Sequence, residues 1–286
     1  MAKTAYMKVW NVELGLAVHI KAPNGKYIVI DLGSRSDLSP ISQLHGKQVG
    51  YMVITHPHHD HFSDIRNLGS ARPMVLNRCK SYTRKELLEG VQLNQKADFE
   101  AYCDLDEAYN YPINDNENPS KATLFDGLTA KVYSCSHLDK TDKNNFSSVV
   151  VISLGNAKIV VCGDNTPKSL EYLMSRTDFK SAIEDAWVLV APHHGRDSGY
   201  YSEFVTAVNP YVTVISDTKE GVTSVTEKYD NYTCGWTVHN LNTLRDEKRK
   251  CLSTRNDGNI KIEFGESETN QAGVLSICSH VPDCPL

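Results

Sequence analysis

Val49-Gly50-Tyr51-Met52-Val53-Ile54-Thr55 continues without a break into His56-Pro57-His58-His59-Asp60-His61. The first half is apolar along nearly its whole length, the pattern of a strand covered on both faces, as strands of parallel sheets are. The second half sets His56, His58 and His61, with Asp60 among them, on the turn after that strand. Six residues are too few to carry three imidazoles and a carboxylate back into a core, so the group reads as ligands gathered at a strand end. Neutral imidazole with carboxylate suits zinc, and also manganese or iron. A solvent-facing polar loop is the plainer reading; the cluster's position inside the chain, directly after a buried strand, argues against it.

Upstream of this segment, Met7–Val12 and Leu16–Lys21 have strand character, and the turn at Pro23-Asn24-Gly25-Lys26 leads into Tyr27–Asp31, which predicts an antiparallel meander. Downstream, periodicity is lost from about Ser70 to Thr123, where an acidic, Asn- and Pro-bearing stretch predicts an insertion or lid over about 70–123. Strands return at Leu128–Tyr133, Ser148–Ser153 and Lys158–Cys162, the last two joined at Gly155-Asn156, as a second meander. Helices are expected over Pro167–Ser175, with proline in the first turn, and Tyr200–Val208, with a buried strand Ala186–Ala191 between them. Later strands fall near Tyr211–Ser216, Trp236–Val238 and Asn259–Phe264. Two strand-rich halves separated by helices predict an α/β fold, an αββα sandwich of two mixed sheets between outer helices, formed as a single domain over residues 1–286.

Two further strands end in residues of the metal-binding kind. Val160-Val161-Cys162 runs into Gly163-Asp164, and Val188-Leu189-Val190-Ala191-Pro192 runs into His193-His194-Gly195. A Gly-Asp pair after a strand is by itself an ordinary turn. Three strands that all end in donors describe a site along one edge of layered sheets.

Composition narrows the rest. Apolar residues make up 40% of the chain and charged ones 23%, which is globular usage and excludes a disordered chain. A net charge of -5 gives no general attraction to polyanions, although a local basic groove remains compatible with it. The eight cysteines lack CxxC spacing, so reduced structural thiols are expected and a zinc ribbon is excluded; Cys278 and Cys284 are spaced so that they can bridge in an oxidising compartment. Neither a signal peptide nor a membrane-length apolar run is read, and a cytoplasmic protein with no membrane partner is expected. Arg245–Lys250 mixes signs and reads as a solvated face.

On His56-x-His58-x-Asp60-His61 after a strand, with Asp31-x-Gly33 upstream and Gly163-Asp164 downstream, the chain resembles the metallo-β-lactamase superfamily. Within it the chain is most similar to the soluble hydrolase domain of ComEC-like competence proteins. That likeness rests on Asn144-Asn145-Phe146-Ser147, Gly163-Asp164, His193-His194-Gly195, Asn209-Pro210 and Ser253-Thr254 with Gly258. It implies two divalent ions, zinc before manganese or iron. His56 and His58 would hold the first, Asp60 and His61 the second, Asp164 would bridge, and His193 would complete the second site. His194 competes with His193 for that role, or donates to an oxyanion or leaving group, so that Asp60 and His194 are the expected catalytic residues. Asp31, His59 and Asn144 would support the ligands from behind; by its place just beyond the histidine pair, Arg196 either pairs with a substrate phosphate or is a surface arginine.

The chain departs from the pattern at Asn144-Asn145, where many members carry a histidine ligand; His137, a few residues earlier, is the candidate replacement. It departs again at Arg196-Asp197-Ser198 and at Asp217-Thr218-Lys219-Glu220-Gly221, so substrate recognition is expected to differ from that of the competence proteins. Two adjacent dications acidify a shared water and stabilise charge on the attacked centre, which makes hydrolysis the expected chemistry. The resemblance favours a phosphodiesterase acting on a nucleotide or nucleic acid. Hydrolysis of a lactone, thioester or β-lactam, and a metal-stabilised interaction module without turnover, are the alternatives.

Overall fold

Period-two alternation builds both sheets. In Tyr27–Leu32 (β3), Ile28 and Ile30 turn to one core while Tyr27 and Val29 turn to another. In Val49–Ile54 (β4), Tyr51 and Val53 divide from Met52 and Ile54 in the same way. Both strands are therefore buried on both faces, as a sheet between two layers requires. The computed structural model describes residues 2–218, 224–268 and 273–286. Lys219, Glu220 and Gly221, which belong to the second departure noted above, lie outside the described residues.

The larger sheet takes Thr4–Val9 (β1), Ala17–Lys21 (β2), β3, β4 and Val75–Arg78 (β5) from the first part of the chain. The smaller sheet takes Thr129–Tyr133 (β6), Val149–Leu154 (β7), Ala157–Cys162 (β8), Val188–Val190 (β9) and Val212–Ile215 (β10). Trp236–Asn240 (β11) and Arg245–Arg249 (β12) return to the larger sheet, Cys251–Ser253 (β13) to the smaller, and Asn259–Gly265 (β14) and Val274–Val281 (β15) to the larger again. The orders are β12-β11-β15-β14-β1-β2-β3-β4-β5 and β13-β10-β9-β8-β7-β6. The meanders β1-β2-β3 and β6-β7-β8 are antiparallel, whereas β3-β4-β5 and β8-β9-β10 are parallel.

One core lies between the sheets, where Met7, Val9, Ile28, Ile30 and Val53 meet Val150, Ile152, Val161, Val190 and Val214. Outside the larger sheet, Arg84–Leu88 (α1) and Lys96–Ala108 (α2) cover Met52, Ile54 and Phe62 with Leu87, Phe99, Tyr102 and Leu105. Outside the smaller sheet, Pro167–Met174 (α3), Thr177–Ile183 (α4) and Ser202–Val208 (α5) cover Val149, Val160 and Leu189 with Leu170, Phe179 and Phe204. Thr226–Asp230 (α6) and Thr254–Asp257 (α7) are single turns beside β13. The result is the αββα sandwich. Among the described residues, no helix is long and apolar enough to cross a membrane.

The segment over about 70–123 holds β5, α1 and α2, elements that sequence reading passed over. In α2 the apolar spacing Phe99, Tyr102, Cys103 is helical, but it is diluted by Asp98, Glu100, Asp104, Asp106 and Glu107. The first strand begins at Thr4, earlier than the expected Met7, and ends at Val9. Trp10 has already left the ladder, although its N–H still donates to the Ala17 carbonyl at 3.0 Å.

Candidate metal centre

The donors come from both sheets, at the ends of β4, β8 and β9. Two glycines let these ends meet. A Cβ on Gly163 would lie 2.3 Å from Ser147 Oγ and 2.4 Å from Thr55 Oγ1, so only hydrogen fits where β8 passes the end of β4. A Cβ on Gly15, at φ +107°, would lie 2.0 Å from the Asp60 carbonyl oxygen, so the β1-β2 connection closes directly on the histidine-rich turn. Ser148 N–H donates to the Thr55 carbonyl at 3.0 Å and joins the two sheets beside the site.

Two groups of donors result: Asp60, His61, Asp164 and His194, and His56, His58 and Asp164, so that Asp164 belongs to both. His61 Nε2 stands 3.1 Å from Asp164 Oδ1 and 3.8 Å from Asp60 Oδ2; His194 Nε2 stands 3.4 Å from Asp164 Oδ2 and 3.5 Å from Asp60 Oδ2. His56 Nε2 stands 3.8 Å from Asp164 Oδ2 and 3.0 Å from His58 Nδ1.

Hydrogen bonds fix the rings from behind. Asp31, fully buried, accepts from Thr55 N–H at 2.7 Å, from Thr55 Oγ1 at 2.7 Å and from His61 Nδ1 at 2.6 Å. The single hydroxyl proton of Thr55 is thereby committed to Asp31. His56 Nδ1, 3.2 Å from the same Oγ1, must then be the donor, and its Nε2 keeps a lone pair for the centre. His194 Nδ1 donates to the Ser216 carbonyl at 3.0 Å, which likewise turns Nε2 inward.

The electrostatics of the two groups differ. Burial keeps His56 well below the ordinary imidazole value and lowers His58 as well, so both are neutral donors. Burial also works against charge on His61 and His194, yet the facing carboxylates, Asp164 foremost, override it; His61 lies well above its ordinary value and His194 rises to about 9. Burial opposes ionisation of Asp60 and Asp164 too, and the same imidazoles reverse it, so both carboxyls lie well below the ordinary range.

This chemistry fits divalent ions. Nε2 of His61 and of His194 are both buried without a hydrogen-bond partner, although each faces carboxylate oxygens. Two nitrogens bound tetrahedrally to one zinc ion stand roughly 3.3 Å apart. His56 Nε2 and His58 Nδ1, at 3.0 Å, have close to that spacing.

Of the adjacent pair His193-His194, the second ring is the one brought to the four-donor group. His194, and not His193, stands with Asp60, His61 and Asp164. The reason is the backbone: His193 (φ 48°, ψ 49°) and His194 (φ 55°, ψ 30°) are both left-handed, and Gly195 follows at φ 67°. That turn carries the second imidazole inward, and the Ser216 carbonyl at the end of β10 holds it there. His137 is not brought to either group: it is exposed, its Nε2 meets Ser136 Oγ at 3.3 Å and its ring lies edge-on to Tyr172.

Among the remaining candidates, His59 turns away from the centre and meets Asp98 Oδ2 of α2 at 2.8 Å. Asn144 makes no hydrogen bond to the site histidines among the described residues, and its Oδ1 is buried without a partner; Thr55 and Ser147 flank His56 Nδ1 instead. Arg196 has a buried Nε with no hydrogen-bond partner. Lys143 went unnoticed in the sequence. It is half-buried, its Nζ lies 5.5 Å from the centre of the Phe99 ring, and its charge bears on His58. Its one signal was its place beside Asn144-Asn145, where the expected histidine is missing.

Among solved structures, the chain is similar to YhfI of Bacillus subtilis, a metallo-beta-lactamase fold protein, at 14% identity over 80% of this chain and 93% of that one, with a TM-score of 0.46. It is similar to zinc-bound PqqB of Methylobacterium extorquens at 10% identity over 74% and 89%, with a TM-score of 0.45. It is also similar to CmlA, a diiron beta-hydroxylase of Streptomyces venezuelae, at 16% identity over 74% and 44%, with a TM-score of 0.44. No curated protein matches the chain. The family model of the metallo-beta-lactamase superfamily matches residues 11–216, a span that includes every donor of the two groups. By that match the chain belongs to the metallo-beta-lactamase superfamily.

Proposed function

We propose that the protein is a hydrolase dependent on two divalent ions, zinc before manganese or iron, and that it cleaves a phosphodiester in a nucleotide or nucleic acid. The observation that carries the hydrolase reading is the pair of orphaned, buried Nε2 atoms on His61 and His194, directed at Asp60 and Asp164. Asp60, His61, Asp164 and His194 would hold one ion, His56, His58 and Asp164 the other. When bound, the ion pair supplies Lewis acidity and acidifies a water for attack.

The chain's own residues do the rest. Asp31 and Thr55 fix the ring orientations of His61 and His56, and Ser216 fixes His194. Lys143 supplies positive charge beside His58, and Arg196 carries a guanidinium next to the His193-His194-Gly195 turn; both favour an anionic substrate. The likeness to ComEC-like hydrolase domains in Asn144-Asn145-Phe146-Ser147 and His193-His194-Gly195 points the same way, toward phosphodiesters.

The test is turnover of bis(p-nitrophenyl) phosphate, a lactone and nitrocefin by the zinc- or manganese-loaded protein. Diester hydrolysis is expected. Activity on the acyl substrates alone overturns the phosphodiesterase reading, and silence on all three favours an interaction module. Asp60→Ala and Asp164→Ala are each expected to lower bound metal and activity together, activity by more than about 100-fold. Full metal content with full activity in either variant would remove these residues from the centre.

A further inference from the structure

The centre's two halves are unequal. Asp60, His61, Asp164 and His194 give one half four donors, whereas His56, His58 and the shared Asp164 give the other three. Three of these imidazoles share one arrangement, with Nδ1 held by an oxygen and Nε2 turned to Asp164. For His61 the holder is Asp31 Oδ2 at 2.6 Å, for His194 the Ser216 carbonyl at 3.0 Å, for His56 Thr55 Oγ1 at 3.2 Å. Their Nε2 atoms lie 3.1, 3.4 and 3.8 Å from the Asp164 carboxylate.

His193 repeats that arrangement outside both groups. Its Nδ1 lies 3.0 Å from Ser198 Oγ, and its Nε2 lies 3.8 Å from Asp164 Oδ2, the same oxygen and the same separation as for His56. A hydrogen bond does not reach across 3.8 Å. A nitrogen and an oxygen that share one ion at about 2.0–2.2 Å stand roughly 3–4 Å apart, depending on the angle between them. Among the described residues, His59 commits Nε2 to Asp98, His45 commits Nε2 to the Asn67 carbonyl, and His137 lies against Tyr172.

The backbone supports the same conclusion. His193 and His194 are both left-handed, and two successive imidazoles face one carboxylate. Non-glycine residues adopt that conformation rarely. Gly199 completes the arrangement: a Cβ there would lie 2.6 Å from the Cβ of His193, so the returning loop packs against His193 and brings Ser198 to its Nδ1.

We propose that His193 is the fourth protein donor of the half built by His56 and His58, with Nε2 as the ligating atom and Ser198 holding Nδ1. The proposal rests on the two-ion reading above, and its test separates the two. Zinc stoichiometry is measured by elemental analysis after dialysis, and affinity by competition with a chromophoric chelator. The unaltered chain is expected to hold two equivalents. His193→Asn is expected to weaken one equivalent at least tenfold and leave the other unchanged; asparagine tolerates the left-handed backbone but cannot extend a donor as far as Nε2. Ser198→Ala is expected to weaken the same equivalent, and with cobalt in place of zinc, His193→Asn is expected to alter the visible spectrum of one ion.

Circular dichroism of the chelated proteins checks the fold. If His193→Asn fails to fold, His193→Gln replaces it under the same criteria, and Ser198→Ala reads the same equivalent without touching the strained turn. Wild-type stoichiometry and affinity in His193→Asn overturn the proposal even if activity falls, because the imidazole then faces substrate and not metal. An unaltered chain that binds no divalent ion overturns the centre itself, and that result is read before any variant is made.

Discussion

His194 shows how finely one side chain is balanced. Burial alone would hold its imidazole neutral, but Asp164 at 3.4 Å and Asp60 at 3.5 Å lift its pKa to about 9. The ordinary value of about 6.5 applies to the unfolded chain. A folded-state value raised above the unfolded one adds stability that is fully present below about pH 6.5 and is lost as pH rises through about 9. Ligation needs the neutral ring, so each displaced proton makes zinc affinity climb by up to about tenfold per pH unit across the same window. The chelated chain is thus expected to melt lower at pH 9 than at pH 6.5, while apparent zinc affinity, read by chelator competition at pH 7, 8 and 9, rises. An affinity that stays flat would mean that His194 and His61 carry no proton for the ion to displace. The donors of the His56–His61 turn and Asp164 were legible because they end apolar strands. The order of His193 and His194 was not, because spacing says nothing about a left-handed backbone at non-glycine residues.

At the scale of elements, α2 is tied to the donor-bearing turn and the segment just after it by four side chains. Asp98, buried near its start, receives His59 Nε2 at 2.8 Å on one oxygen and Arg66 Nε at 2.5 Å on the other, and the His59 ring stacks on Phe99. Asp98→Ala leaves His59 without its partner and is expected to cost about 1–3 kcal/mol. Chemical denaturation measures that loss, and faster amide exchange over Lys96–Ala108 locates it. An unchanged midpoint would show that Phe99, Tyr102 and Leu105 hold the helix unaided. Sequence reading found the strands that alternate or are wholly apolar and joined each meander correctly. It passed over α2 because acidic residues dilute its apolar stripe, and β15 because Ser276, Ser279 and His280 interrupt it. The contact between His59 and Asp98 spans 39 positions, a separation at which one sequence without relatives carries no pairing signal.

Across the whole molecule, the centre lies where the two sheets meet. His56, His58, Asp60 and His61 follow β4 of the larger sheet, whereas Asp164 and His194 follow β8 and β9 of the smaller. Ions held by both sets would tie the sheets together, in addition to the apolar core between them. Free ligand at 100 times its dissociation constant stabilises a fold by about 2.7 kcal/mol. Metal-loaded protein is accordingly expected to unfold at higher temperature than chelated protein, by a margin that grows with free zinc and vanishes in Asp164→Ala. Equal melting temperatures with and without chelator would mean that the ions bridge nothing. Asp164, shared by both groups, would make such a tie reversible: the two layers would be fastened by a joint that assembles or dissolves with the supply of free ion. The protein's lifetime against unfolding and proteolysis would then follow the metal content of its surroundings, independently of whether any substrate is being turned over.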